Sequence, residues 1–164
     1  MQSILLAYGI SVDFVQADLL EIQSDSLVEI AREKAKNAYE KAARPVIVED
    51  DGLYINALKG FPGQYSSHAF KTIGNAGMLK LLEGSADRSA YFCSVIAYND
   101  GKQVQEFEAR VDGQISTSIA KGGWGYDPVF VPAGAKVTFA KLSNKNDYSH
   151  RRKALEKFAR WYLR

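Results

Sequence analysis

The stretch Pro45–Ile55 reads PVIVEDDGLYI, so that three consecutive acids stand between two short apolar runs. The first run, Pro45–Val48, has the length and the β-branched composition of a buried strand, and Leu53–Ile55 is strand-like as well. Two unit charges about 4 Å apart repel by about 4 kcal/mol at an effective dielectric constant of about 20. Acids placed directly at the end of a buried strand therefore require compensation.

A cation is expected to balance the charges of Glu49, Asp50 and Asp51. A hard divalent ion, Mg²⁺ above all, suits one or two carboxylates combined with the phosphates of a substrate. The alternative is an acidic turn in water. The position directly after Val46–Val48, rather than after a polar stretch, favours the metal site.

The residues before this stretch predict an amphipathic helix from Ser26 to about Ala43. Ser26 and Glu29 have the spacing of a capping box, in which each side chain binds the backbone N–H of the other residue. Lys34 falls on or beside the apolar face, so it either extends its ammonium to water or points it into a cleft. The apolar face consists of Leu27, Ile30, Ala31, Ala35, Ala38 and Ala42.

The remaining sequence mixes helical and strand patterns, which predicts an α/β or α+β fold with a largely antiparallel sheet under helical cover. Asn99-Asp100-Gly101 is a hairpin turn signal. The predicted strands are Val12–Val15, Arg88–Tyr98, Val104–Val111, Gly113–Ile119 and Val129–Val131. The predicted helices are the tail Ser3–Gly9, Ser66–Thr72, Asn75–Leu82, a short polar helix and a last helix from Ser149 with Leu155, Phe158, Ala159 and Tyr162 as its buried stripe.

The composition is that of an ordinary globular chain, with 164 residues, 46% of them hydrophobic and 24% charged, and a net charge of +2. So small a net charge argues against a nucleic-acid or membrane partner. The single cysteine, Cys93, excludes an internal disulfide framework, and its apolar surroundings favour a buried thiol over a reactive one. With no signal peptide and no apolar run of about 18 residues, the expected location is cytoplasmic.

A glycine-rich segment, Gly122–Pro128, reads GGWGYDP. An aromatic ring between glycines sits on a backbone that can approach a ligand closely. A planar base stacked on such a ring gains roughly 1–3 kcal/mol. The alternative is a tight turn whose tryptophan caps the core.

A basic segment, Lys145–Lys153, opens the last helix. Ser149 is a suitable N-cap, and His150-Arg151-Arg152-Lys153 then fill the first turn. Cations are unfavourable at this end of a helix, by about 0.3–1 kcal/mol each, because the helix dipole is positive there. Their presence indicates an anion or an electron-rich ligand. The alternative is a basic turn in water.

Together these segments resemble, in order, the inosine triphosphate pyrophosphatase family and within it an archaeal-type member. The resemblance rests on Glu49–Leu53, Gly60–Ser67, Asp87–Phe92, Gly123–Pro128, Lys145-Asn146 and Ser149–Arg151, and it extends from about Gln2 to the C-terminus. It implies an α/β fold, with an elongated, mixed but largely antiparallel sheet, helices on both sides and two lobes around a central cleft.

Family members open with a strand and a Ser/Thr-x-Asn-x-x-Lys phosphate loop. This sequence begins where the second half of the following helix is expected. We therefore expect residues 1–164 to form a single pyrophosphatase-like domain without that strand and loop, and to hydrolyse inosine triphosphate more weakly than a relative that carries them.

The resemblance also implies roles for individual residues. Asp50 matches the general base and Mg²⁺ ligand, Glu21 a second metal-associated acid, and Asp51 a substrate-contacting position. Lys34 matches the lysine that faces the triphosphate. The nucleobase loop corresponds to Trp124, Gly125, Tyr126 and Asp127, and the wall that reads the base edge to Lys145, Ser149, His150 and Arg151.

The implied activity is the Mg²⁺-dependent hydrolysis of non-canonical purine nucleoside triphosphates to a monophosphate and pyrophosphate. The substrates would be inosine, deoxyinosine and xanthosine triphosphate (ITP, dITP and XTP). The family is usually homodimeric, which makes Phe61–Tyr65 a candidate contact loop. The alternative is a non-catalytic module that binds purine nucleotides or mediates dimerisation.

Overall fold

A computed structural model describes all residues from Met1 to Arg164. The chain forms six α-helices, five strands and two short 3₁₀ turns, Asn56–Leu58 and Phe139–Lys141. The helices are α1 (Gln2–Leu6), α2 (Leu27–Ala42), α3 (Ser66–Thr72), α4 (Gly74–Leu81), α5 (Lys145–Tyr148) and α6 (His150–Tyr162). The strands are β1 (Val46–Ile55), β2 (Pro62–Gly63), β3 (Ser89–Asn99), β4 (Val104–Ile115) and β5 (Phe130–Pro132).

The five strands form one sheet in the order β2-β1-β3-β4-β5. The outer pairs are antiparallel, with Leu53 opposite Gly63 and Gln114 opposite Val131. The turn between β3 and β4 is closed by side chains, since Asn99 accepts from the backbone N–H of Gly101 and Asp100 accepts from that of Lys102. The predicted hairpin and the predicted α/β class with a largely antiparallel sheet are confirmed.

The strand β1 is continuous, whereas the sequence predicted two strands with the acids after the first of them. Glu49, Asp50 and Asp51 therefore lie in the middle of a strand. Pairing with the neighbouring strands keeps the chain extended through the charged residues. In the same way, the two strands predicted between Val104 and Ile119 merge into β4, which ends at Ile115.

Two further predictions were wrong. The segment Val12–Val15 is not a strand, since it pairs with no neighbour, and Phe14 within it is 82% exposed. Tyr162 does not belong to the buried stripe of α6, because it lies in the last turn and remains exposed, while Leu155 and Phe158 are buried as predicted.

The start of α2 largely follows the predicted cap. The hydroxyl of Ser26 accepts from the backbone N–H of Glu29 at 3.2 Å. In the predicted capping box the carboxylate of Glu29 accepts from the backbone N–H of Ser26, but in the structure the hydroxyl of Ser24 accepts that bond instead. The hydroxyl of Ser24 donates to the carboxylate of Glu29 and accepts from the backbone N–H of Ser26 at 3.0 Å. The helix ends before Ala43, which has a left-handed φ of 50°.

The chain divides into two compact units, and the division cuts β1, β3 and β4. Unit 1 comprises Met1–Asp51, Ser94–Ala109 and His150–Arg164, and unit 2 comprises Gly52–Cys93 and Arg110–Ser149. Each unit has its own apolar core. The core of unit 1 includes Leu5, Ile96, Tyr98, Phe107, Leu155 and Phe158, and that of unit 2 includes Leu53, Met78, Phe92, Tyr126, Phe130 and Phe139.

Two smaller observations bear on the sequence-based expectations. Cys93 is a free, buried cysteine, as predicted. Among the helices, none has the length and the apolar character that crossing a membrane requires.

Candidate active site

The acids of β1 belong to unit 1 and lie on two different faces of the strand. Successive side chains in a strand point to opposite sides. Glu49 and Asp51 therefore share one face, while Asp50 points to the other. Each face has its own cation, because Arg151 contacts Glu49 and Asp51, whereas Lys34 contacts Asp50.

On the face of Asp50, the ammonium of Lys34 lies between two carboxylates. Its Nζ is 2.8 Å from Oδ1 of Asp50 and 2.6 Å from Oε1 of Glu21. The side chain of Lys34 is only 11% exposed, so of the two predicted orientations the structure has the inward one. Burial by itself would lower the pKa of Lys34, but the hydrogen bonds to Asp50 and Glu21 outweigh it, and the pKa is raised.

The carboxyl group of Asp50 is the more buried of the two acids that contact Lys34. Burial raises the pKa of Asp50 above its usual range, although the hydrogen bond from Lys34 opposes the shift. The second oxygen, Oδ2, is buried and has no hydrogen-bond partner. A buried carboxylate oxygen without a donor is costly, and it is expected to bind a cation or a water molecule in the working protein.

Asp50 and Glu21 are the residues on this face that could hold a magnesium ion. Their oxygens converge on the single ammonium of Lys34, which shows that a cation can stand between them. No group of three or more acids, histidines or cysteines converges on one point. Mg²⁺ accepts such a site, since it commonly binds one or two carboxylates and completes its shell with water and substrate phosphates.

A cavity of about 820 Å³ in unit 1 lies next to Lys34. Its lining includes the first half of β1, from Val46 to Glu49, and two further cations, Lys41 and Arg44. Lys34 therefore lines this open volume and also contacts the two carboxylates.

On the opposite face of β1, the guanidinium of Arg151 joins Glu49 and Asp51. Nε donates to Glu49, and Nη2 donates to Asp51 at 2.8 Å. Ser94 is fully buried and donates its hydroxyl to Glu49 at 3.3 Å. Nε2 of His150 is 3.8 Å from Asp51. Burial and the charge of Asp51 raise the pKa of Glu49, against the opposing effect of Arg151.

This arrangement explains the basic first turn of α6. The charge of Arg151 is offset by two acids of β1, and Arg152 pairs with Glu156 on the same helix at 2.8 Å. A basic turn surrounded by water alone is thus wrong for Arg151. Ser149 directly precedes the helix, in the N-cap position that the sequence predicted.

The glycine-rich loop belongs to unit 2 and exposes one aromatic side chain, that of Trp124. Trp124 is 81% exposed, so it does not cap the core. The backbone on either side of it is left-handed, with φ of 76° at Gly123 and 58° at Gly125. At Gly123 a Cβ atom would also lie 2.7 Å from Asp127 and 2.8 Å from Ala140. Only glycine fits there.

The next two residues of this loop hold it in place. Tyr126 is 5% exposed, its hydroxyl donates to the carbonyl of Ser66 at 3.1 Å, and burial raises its pKa to about 12. Asp127 is buried, and its Oδ2 accepts from the backbone N–H of Trp124 at 3.1 Å and from Lys145 at 2.6 Å.

The structure thus brings the predicted residues into three groups. Lys34 joins Glu21 and Asp50; Arg151 and His150 join Asp51; Lys145 joins the loop that carries Trp124, Gly125, Tyr126 and Asp127. Glu49 was predicted only as part of the acidic cluster, and Ser94 and Asn75 were not predicted. Strand alternation could have placed Glu49 beside Asp51, whereas Ser94 and Asn75 carry no sequence signal for their contacts.

Comparison with known proteins gives a consistent result. The model of the Ham1 family matches residues 1–161. Among curated proteins, the dITP/XTP pyrophosphatase of Methanopyrus kandleri is 50% identical, with coverage of 98% of this chain and 88% of the relative. The dITP/XTP pyrophosphatase of Saccharolobus solfataricus is 46% identical, with coverage of 97% and 84%.

Solved structures agree with the sequence comparison. The Ham1 protein of Staphylococcus aureus superimposes with a TM-score of 0.82 at 30% identity, over 90% of this chain and 81% of that one. A HAM1 protein from Coxiella burnetii gives a TM-score of 0.79 at 29% identity, over 97% and 84% of the two chains.

Proposed function

The chain belongs to the Ham1 family, and on that premise we propose that it hydrolyses non-canonical purine nucleoside triphosphates, namely ITP, dITP and XTP, to the monophosphate and pyrophosphate. The proposed chemistry rests on one observation: the carboxylate of Asp50 is buried, its Oδ1 accepts from the ammonium of Lys34, and its Oδ2 has no hydrogen-bond partner. A non-catalytic nucleotide-binding or dimerisation module is not favoured, because relatives over nearly the full chain are pyrophosphatases.

Asp50 is proposed as the general base. Its carboxylate accepts a proton from a water molecule whose oxygen attacks the α-phosphorus. The bond between that phosphorus and the oxygen bridging to the β-phosphate breaks, and pyrophosphate leaves with the electron pair. Catalytic bases work best with a pKa near the operating pH, and burial shifts the pKa of Asp50 in that direction while no metal ion is bound.

Glu21 and Asp50 are proposed to hold Mg²⁺, which when bound neutralises charge on the phosphates and on the leaving group. Lys34 is proposed to face the triphosphate. Two observations support this role: the ammonium of Lys34 already lies between the two carboxylates, and Lys34 is among the residues that line the cavity of unit 1.

Trp124 is proposed to stack on the purine ring, and Gly125, Tyr126 and Asp127 to shape the loop around it. Lys145 secures Asp127. Ser149, together with His150 and Arg151 at the start of α6, is proposed to read the base edge, with donors for a 6-keto oxygen. The 6-amino group of adenine is itself a hydrogen-bond donor and would face these donors without an acceptor, so the site would reject adenine nucleotides.

A homodimer is proposed as the working assembly, with Phe61–Tyr65 as part of the contact. Phe61 and Tyr65 both have exposed aromatic rings, which are enriched at protein interfaces. A cytoplasmic location is also proposed, in keeping with a single cysteine that is a buried thiol.

The test uses the protein with Mg²⁺ and ITP in water enriched in ¹⁸O, followed by mass spectrometry of both products. We expect inosine monophosphate and pyrophosphate, with the label in the monophosphate, because the attacked atom is the α-phosphorus. ATP, under the same conditions, serves as the matched substrate control and is expected to react much more slowly. Release of inorganic phosphate, or equal rates with ATP, would refute the proposal.

A further inference from the structure

Asn75, near the start of α4, contacts the loop that carries Trp124. Its Nδ2 donates to the carbonyl oxygen of Gly125 at 3.0 Å, across 50 residues of sequence. Both residues belong to unit 2. The side chain of Asn75 is partly buried, and its Oδ1 is a buried oxygen without a hydrogen-bond partner.

The bond to Gly125 is not a by-product of helix capping. Asparagine near a helix start usually binds the backbone of its own helix. The N-cap of α4 is Ile73, which makes no side-chain capping bond, and the side-chain amide of Asn75 donates to the distant loop. The amide is therefore used to connect two segments of unit 2.

The loop needs external fixation at this point. Gly122, Gly123 and Gly125 all have left-handed φ values, and glycine loses more conformational freedom on ordering than any other residue. Asp127 holds the backbone N–H of Trp124, and Tyr126 is anchored in the core. Asn75 holds the carbonyl directly after the exposed tryptophan.

The other end of α4 is fixed to the chain that leads into the same loop. Arg88 donates to the carbonyl of Leu82, which follows α4, at 3.2 Å. It also donates to the carbonyls of Ile115 and Ser116 at 2.7 Å each, where β4 ends. Through Arg88 and Asn75, α4 therefore contacts both the beginning and the tip of the segment that runs from Ile115 to Gly125.

We propose that Asn75 is a positioning residue for purine binding, which fixes the backbone that carries Trp124 through the carbonyl of Gly125. This inference rests on the proposed function of the loop. Because the fixation is present before a ligand arrives, its loss weakens purine binding and leaves the chemical step at Asp50 unchanged. We therefore expect KM to rise and the affinity for inosine monophosphate to fall, while kcat stays the same.

The test compares Asn75→Ala and Asn75→Asp with Asn56→Ala. Asn56 is the matched control, because it also donates through Nδ2, to Ser89 at 2.7 Å, but does not contact the loop. The measurements are kcat and KM for ITP, the affinity for inosine monophosphate by calorimetry, and amide hydrogen exchange of residues 122–127.

For Asn75→Ala we expect a threefold to tenfold increase in KM and a matching loss of monophosphate affinity, which corresponds to about one hydrogen bond. The value of kcat is expected to stay within about twofold, and exchange in the loop is expected to accelerate. Asn75→Asp is expected to have the larger effect, because it sets a carboxylate oxygen against the carbonyl of Gly125. Asn56→Ala is expected to change none of these quantities.

Unchanged KM and unchanged loop exchange in Asn75→Ala would overturn the inference. A general loss of thermal stability with kcat and KM both altered would overturn it as well, because that is the signature of a purely structural asparagine. If the unaltered protein failed to hydrolyse ITP, the proposed function would fail, but hydrogen exchange and monophosphate binding would still decide whether Asn75 positions the loop.

Discussion

The acids of β1 and the loop Gly122–Asp127 are organised in opposite ways. In β1 the backbone is a regular strand, and the charged side chains of Glu49, Asp50 and Asp51 form the proposed reactive group. In the loop the backbone is irregular, with three left-handed glycines, and neutral and charged side chains fix it around one exposed ring. A sheet supplies side chains at fixed spacing, whereas a loop supplies a shape that other residues must maintain.

This difference predicts two kinds of mutational effect. Changes at the acids of β1 remove charge from the reaction and are expected to act mainly on kcat. Changes in the loop disturb binding and are expected to act mainly on KM. We rank four variants from the largest expected effect to the smallest. The first and third test the division between kcat and KM, and the second and fourth test the contacts that hold each region.

The largest effect is expected for Asp50→Asn, which removes the proposed base while keeping the shape of the side chain. Because general acid–base catalysis contributes about 10²–10⁴-fold, we expect kcat for ITP to fall by about 10³-fold with little change in the circular dichroism spectrum. Asp13→Asn is the matched control, since Asp13 is an exposed aspartate of unit 1. Activity within tenfold of the original protein would remove Asp50 from the role of base.

Lys34→Met is expected to have the next largest effect, and it acts on both stability and catalysis. Removing the ammonium leaves the carboxylates of Asp50 and Glu21 facing each other, and breaking a buried pair costs about 3–5 kcal/mol. Because Glu21 is largely exposed, we expect the free energy of unfolding in urea to fall by about 3 kcal/mol, together with a roughly 10²-fold lower kcat/KM.

The same variant tests whether Lys34 and a metal ion use the same oxygens. Without nucleotide, Mn²⁺ in place of Mg²⁺ is expected to bind more tightly to Lys34→Met, measured by electron paramagnetic resonance. Lys36→Met is the control on the same helix, because Lys36 pairs with Glu33 at the surface. Equal Mn²⁺ affinity in both variants would argue against Glu21 and Asp50 as the metal ligands.

Trp124→Ala is expected to affect binding alone. The ring is 81% exposed, so unfolding free energy should change by less than about 0.5 kcal/mol. Loss of stacking, at roughly 1–3 kcal/mol, predicts a KM for ITP that is about tenfold higher or more, with kcat unchanged. Trp124→Phe should restore most of the affinity. A fall in kcat as large as the rise in KM would contradict the division between the two regions.

The smallest effect is expected for Tyr126→Phe, which removes the hydroxyl that binds the carbonyl of Ser66. At neutral pH we expect a loss of about 1 kcal/mol in unfolding free energy. Burial raises the pKa of Tyr126 from 10.0 to about 12, so the folded protein holds this proton more tightly than the unfolded chain does. The stabilisation is thus complete below about pH 10 and is lost as the pH rises toward 12.

Urea unfolding of the original protein and of Tyr126→Phe between pH 9 and 12 measures this effect, because the titration of all other groups is common to both chains. The free-energy difference between them should shrink as the pH rises through about 10 to 12. A constant difference would mean that the hydroxyl of Tyr126 is not held in the core.

Local signals predicted much of the fold. The cap of α2 at Ser26, the hairpin at Asn99–Gly101 and the helix Ser66–Thr72 all follow from residues within a few positions of one another, and the structure has them there. The errors have a common cause. Val12–Val15 has a strand composition but no partner strand, and β1 continues through three acids because its neighbours pair with it.

The candidate site was predicted in its residue types but not in its pairing. The sequence required a cation for the acids of β1 and proposed one ion for all three. Strand alternation instead separates Asp50 from Glu49 and Asp51, so that two different side chains, Lys34 and Arg151, supply the compensating charges. The sequence also treated Tyr126 and Trp124 alike, whereas one ring is buried and the other exposed.

The sequence by itself therefore determined the family, the positions of α2 and of the hairpin, and the residue types of the site, because these depend on motifs and on neighbours a few residues apart. Only the tertiary structure decided which charges meet. Lys34 reaches Asp50 across 16 residues, Asn75 reaches Gly125 across 50, and Arg151 reaches Glu49 across 102. Contacts over such separations depend on how the sheet and the helices pack, which no local pattern encodes.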